Sequence, residues 1–179
     1  MKRAILPLLL LVSLILESIA LEFLPNQYLV RDFMITPHWI FVMILYIAIF
    51  YDSDRTYMSV LYGITFGFLV DILYTDILGV YMFTYGIVAY VVHGLKKMLH
   101  ANFFVAFLLS FLGLLLVEWS LYIVYTMTGV ASMGVETYML YRLIPTMTAN
   151  LIFMIILYPF FPRQLYQLAE MHLSKPKKG

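Results

Sequence analysis

Six long apolar runs, at 4–24, 37–51, 57–74, 77–95, 103–127 and 138–161, take up most of this chain and leave only short polar gaps. Five approach the roughly 17 to 25 residues that a helix needs to cross a bilayer's hydrocarbon core. The second is short and is expected to be tilted, shallow or locally unwound. Lipid offers backbone N–H and C=O groups no partner, so runs of this kind are expected to be helices. The pattern predicts an all-α integral membrane protein, a bundle of six transmembrane helices.

Lysine and arginine alternate between the gaps. With the N-terminus in the cytoplasm, Lys2, Arg3, Arg55, Lys96, Lys97, Arg163, Lys175, Lys177 and Lys178 lie inside, and Arg31 and Arg142 lie outside. Cytoplasmic loops carry the excess of basic residues, so the bias selects an N-in, C-in orientation. The first run follows Lys2 and Arg3 as a secretory leader would, but Glu17 and Glu22 interrupt it and no clean small-residue cleavage site follows, so it reads as a retained helix.

Composition narrows the rest. With 64% hydrophobic and 12% charged residues, the chain has no polar block of domain size, so residues 1–179 read as one transmembrane domain. Residues 162–179 read as a short basic cytoplasmic tail, a stop-transfer cluster within reach of anionic lipid. A net charge of +1 argues against nucleic acid as a partner. The absence of cysteine removes disulfides, thiolate metal sites and cysteine nucleophiles. His38, His93, His100 and His172 are scattered at span ends without a carboxylate at metal-ligand spacing, and no hydrolase, P-loop or dinucleotide motif is present. The reading is therefore of a protein without catalytic residues, metal or cofactor.

Two faces carry the densest information. Ser59, Gly63, Gly67 and Asp71 recur every four residues, a narrow stripe on the third helix with little side-chain bulk and one acid. Gly79, Gly86 and His93 recur every seven on the fourth. The plainer use of these faces is close packing of the third helix on the fourth; the other is a groove for a partner's helix. A second set is ionisable. Glu17, Asp71 and Glu118 fall roughly 20 to 22 Å above the inner ends of their runs, at about 1.5 Å per residue. Arg142 enters from the same side and Asn150 lies two turns deeper, so these five read as an intramembrane polar network in which Arg142 pairs with one of the acids. Each such charge costs on the order of 2.5 to 3.5 kcal/mol at the bilayer centre on insertion scales. A buried ion pair fixing helix register, a solute pocket and a partner-facing polar patch are the three uses open to it.

The stretch Gly67-Phe68-Leu69-Val70-Asp71, then Gly79, Tyr90 and the Leu95-Lys96-Lys97 exit, resembles the core signature of the rod shape-determining protein MreD family. The leucine-rich first span with a late acid and the six-span layout are similar to that family too. The turn Tyr74-Thr75-Asp76-Ile77-Leu78 departs from it by lacking the usual Gly, Ser and Pro, and Tyr81 stands where histidine is frequent. The resemblance implies a multi-pass protein of the bacterial cytoplasmic membrane. It also implies a non-enzymatic scaffold for lateral peptidoglycan synthesis that binds an MreC-like single-span protein. Through that partner it would reach the glycosyltransferase RodA, a class-B penicillin-binding protein and MreB. The alternative from another class is the substrate-capture subunit of an energy-coupling-factor vitamin transporter, which the outward acid and arginine set would suit. Against it, the first span lacks an A-x-x-x-A docking face.

Overall fold

The computed structural model describes residues 4–23 and 34–173; Arg31 and the terminal lysines and arginine counted in the charge bias lie outside them. Among the described residues every regular element is a helix. These are α1 (Ile5–Phe23), α2 (Trp39–Tyr51), α3 (Met58–Tyr74), α4 (Val80–Lys96), α5 (Phe103–Met127), α6 (Val135–Leu157) and α7 (Phe161–Leu173). Of these, α5 and α6 are long and apolar enough to cross a membrane by length and composition, while α1, α2 and α3 are shorter apolar helices.

The short second run becomes the hub. Its residues Ile40 to Phe50 are all buried, and α2 touches every other helix. A segment that is apolar all round, Trp-Ile-Phe-Val-Met-Ile-Leu-Tyr and onward, has no face suited to water and belongs in the centre. The expectation of local irregularity has a counterpart in the last turn, Ile47–Tyr51, which is wound as a π-helix. A second π-helical turn, Met139–Leu143, lies in α6 just before Pro145. Around α2 the other helices present narrow inward stripes, such as Ala106, Leu109, Ser110, Gly113, Leu114, Val117, Glu118 and Leu121 of α5. Their outward faces are apolar as well, with Leu8, Ile15, Leu61, Phe83, Leu108, Ile123 and Ile156 all exposed. Water would penalise such a surface, and a lipid environment suits it.

The tail reading needs correction at its start. Residues 162–173, the first part of the segment read as a tail, belong to α7, begun by Phe161-Pro162, with proline tolerated in a first turn. Leu165 and Leu168 are buried, while Arg163, Gln164, Gln167 and Glu170 face outward. That period is helical, and the apolar side of α7 packs across the end of α2, where Tyr166 meets Phe50 edge to face.

Candidate functional site

The α3–α4 hairpin is the most closely packed pair in the bundle. A Cβ placed on Gly63 would stand 2.9 Å from the Tyr85 carbonyl oxygen, and one on Gly67 only 2.6 Å from that of Tyr81 and 2.8 Å from Met82 Cα. Both obstacles are backbone, so the two helices approach at distances that only glycine permits. Gly86 differs. Its obstacle is a side-chain atom, Ile64 Cγ1, at 2.7 Å.

Asp71 closes this hairpin. Its carboxylate is fully buried and accepts from the first backbone N–H groups of α4: Oδ2 from Gly79 (3.0 Å) and Met82 (3.0 Å), Oδ1 from Tyr81 (2.9 Å). Helix N-termini leave such donors without intrahelical partners and carry partial positive charge, so an anion there is stabilised twice over. Gly79 sits at φ +98°, a left-handed conformation that side chains resist, and it turns the chain into α4. The turn between them, which lacks the usual Gly, Ser and Pro, is instead held by Thr75, whose hydroxyl lies 3.0 Å from the carbonyl oxygens of both Asp71 and Ile77. Asp71 is thus placed against the backbone of α4 and not beside Arg142.

The other ionisable groups converge on the entry to α2. Glu17, from α1, accepts from the Ile40 N–H at 2.9 Å and so caps α2 from a neighbouring helix. Glu118 of α5 is fully buried; His38 Nε2 lies 2.7 Å from its Oε1, and the Tyr138 hydroxyl donates to its Oε2 at 2.6 Å. Arg142 Nε stands 3.7 Å from the same Oε2 and makes no hydrogen bond there; the side chain is 28% exposed, so it acts as a peripheral counter-charge. Asn150 accepts from the His38 backbone N–H (2.7 Å) and donates to the carbonyls of Thr36 and Thr146. The structure therefore brings Glu118, Arg142 and Asn150 together, sets Glu17 beside them as a helix cap, and keeps Asp71 apart.

His38 corrects the reading of the histidines. It is no isolated residue at a span end but the fully buried centre of this cluster, with Nδ1 2.9 Å from the Tyr85 hydroxyl. With Nε2 carrying the proton, Tyr85 donates to Nδ1, and the imidazole donates to Glu118; every polar atom of the chain from α4 to α5 is then paired. The second apolar run starts at residue 37, but its helix begins at Trp39 with His38 at the cap, where Asn150 and Glu17 supply acceptors for the backbone N–H groups of His38 and Ile40.

At the opposite end Asp52 plays the same part for α3, accepting from the N–H groups of Met58 (3.0 Å) and Ser59 (2.8 Å) and from the Ser59 hydroxyl. Burial pushes its carboxyl above the usual range, against the hydrogen bonds of Ser59 and Met58 and the nearby His93 ring, which pull it down. His93 Nδ1 is 3.9 Å away, and both ring nitrogens are buried without a hydrogen-bond partner. Ser59 thus sits in a cap as well as on the small-residue stripe.

Among the described residues no group of three or more His, Asp or Glu is placed to hold a metal ion. What fold and site define together is a helical bundle of membrane-protein character, whose buried acids bind helix N-termini or, for Glu118, the side chains of His38 and Tyr138. Comparison with known proteins agrees with that class. Residues 2–169 match the family model of rod shape-determining protein MreD. The chain is 29% identical over 151 residues to the rod shape-determining protein MreD of Bacillus subtilis (strain 168), covering 84% of this chain and 86% of that one. No solved structure gives a significant match. The chain belongs to the MreD family, which places it in rod-shape determination and replaces the transporter-subunit alternative.

Proposed function

We propose that the protein is a non-enzymatic scaffold of the cell-elongation machinery: a single six-span domain, N-in and C-in, in the bacterial cytoplasmic membrane. It holds an MreC-like single-span protein and, through it, the wall synthases and the MreB filament. The observation that carries this reading is the family match over nearly the whole chain, with the α3–α4 signature residues engaged in backbone-close packing and capping. A rigid hairpin of this kind presents a fixed outer surface, which is what recognition of another membrane helix requires. The interior carboxylates Glu17, Asp71 and Glu118 already have partners within the chain, which favours a structural use over a solute pocket.

Co-expression with the MreC-like protein of the same host, followed by affinity purification in mild detergent, tests the partner. The pair is expected to co-purify with the wild type and to be lost with Gly67→Leu, which adds four heavy atoms between touching backbones while leaving insertion intact. Recovery of equal amounts of partner with both chains would overturn the use of the hairpin. Absence of partner with the wild type would overturn the scaffold. Reporter fusions after Gly179 and near Glu136 test the orientation, with cytoplasmic activity expected for the first and external activity for the second.

A further inference from the structure

At the end of the bundle where α4 passes into α5, a recess of about 340 Å³ lies between the α4–α5 connection and α7. Lys96, Lys97 and His100 line it on one side, Tyr166 of α7 on another, and Asp54 contributes the acid. Neither ammonium is ion-paired among the described residues. Lys96 Nζ donates to the Asp52 carbonyl at 2.7 Å, and Lys97 Nζ to the Tyr57 hydroxyl at 3.3 Å, its charge 5.1 Å above that ring. Both hydrogen-bond partners are neutral, and Asp54 is the one acid in the lining, so two ammonium groups against one carboxylate leave the recess with a net positive charge. Directly beside them the surface turns apolar: Met98, in the wall of the recess, is 83% exposed, and Phe104, in the first turn of α5, is 80% exposed. The N-terminal end of α5 adds its partial positive charge to the same region.

From this juxtaposition we infer that the recess is a binding site for the phosphate headgroup of an anionic phospholipid, with the acyl chains running over Met98 and Phe104. The ammonium groups of Lys96 and Lys97 would take the phosphodiester oxygens, as basic pockets beside membrane helices do. A free phosphate ion would use the cations but not the apolar flank. The site is independent of the scaffold reading.

Native mass spectrometry of the full chain in detergent micelles, with dioleoyl phosphatidylglycerol, dioleoyl phosphatidylcholine or inorganic phosphate as the probe, tests this. The anionic lipid is expected to be retained in preference to the zwitterionic one. Lys97→Gln should weaken its binding about fivefold and Lys96→Gln with Lys97→Gln about thirtyfold, the effect of roughly one surface charge each. Arg163→Gln, which removes a neighbouring outward charge that does not line the recess, should change it by less than about twofold on the same reasoning. If the double variant does not fold, the exposed Lys97 alone decides. Equal retention of the two lipids, an equal loss with Arg163→Gln, or displacement of the lipid by millimolar inorganic phosphate would each overturn the assignment.

Discussion

Asp71→Asn preserves the size of a side chain whose two oxygens between them take three backbone N–H groups, and it turns one of those oxygens into a donor. If the remaining acceptor stays with Gly79 and Met82, the Tyr81 N–H is left facing an NH2 group; the opposite rotamer strands two N–H groups instead of one. The better choice gives up one charge-assisted hydrogen bond, worth about 1.5 to 3 kcal/mol, and leaves a buried donor unpaired, at about 1 to 3 kcal/mol. Hydrogen bonds between membrane helices run weaker than this, about 0.6 kcal/mol on average, because the unfolded reference state in lipid also finds partners. A loss of about 2 to 3 kcal/mol is therefore expected, a fall of about 4 to 12 °C in Tm at roughly 2 to 4 °C per kcal/mol for a chain of this size. Thermal unfolding in detergent, followed by intrinsic fluorescence, measures it. Gly79→Ala supplies the internal check: no atom lies within 4 Å of the added Cβ, so its cost of roughly 1 to 2 kcal/mol is backbone strain alone. Because both residues build one cap, the two changes should combine to less than their sum. A fully stable Asp71→Asn, or strict additivity with Gly79→Ala, would refute the capping role.

Gly67→Ala should destabilise the α3–α4 hairpin far more than Gly86→Ala, since backbone atoms block the first and a movable Ile64 side chain blocks the second; comparison of their melting temperatures checks this. His38→Ala should cost about 3 to 5 kcal/mol by leaving Glu118 buried without its imidazole, whereas Tyr85→Phe should cost only about 1 kcal/mol. Arg142→Ala removes a partly exposed guanidinium whose Nε stands 3.7 Å from Glu118 without a hydrogen bond, and should cost less than His38→Ala in the same melting assay. A loss as large as that of His38→Ala would instead make Arg142 the principal partner of Glu118.

The small-residue stripe, the acid at its end and Gly79 were all legible in the sequence, because α3 and α4 are neighbours in the chain and their packing obeys a short, regular spacing. What Asp71 contacts was not legible from depth alone: an acid in the outer half of a span looks the same whether it meets a guanidinium or the start of the next helix. The eight-residue separation from Gly79 held the relevant signal, a carboxylate and a turn glycine at the two sides of a tight connection. His38 was hidden for a different reason. Its partners Tyr85, Glu118 and Asn150 lie 47, 80 and 112 positions away, separations over which no periodicity operates. The imbalance of three intramembrane acids against one arginine was the available hint that another polar group had to join them. For α7 the helical spacing of Phe161, Leu165 and Leu168 was present, but the basic residues downstream drew the segment into a tail.

The scaffold account is tested most directly by cell shape. In a rod-shaped host depleted of its own family member, the wild-type chain is expected to restore rods, and Gly67→Leu, inserted at equal level, to leave the cells rounded. Rounded cells with the wild type despite normal insertion, or full rescue by a chain carrying both Gly67→Leu and Asp71→Asn, would contradict it.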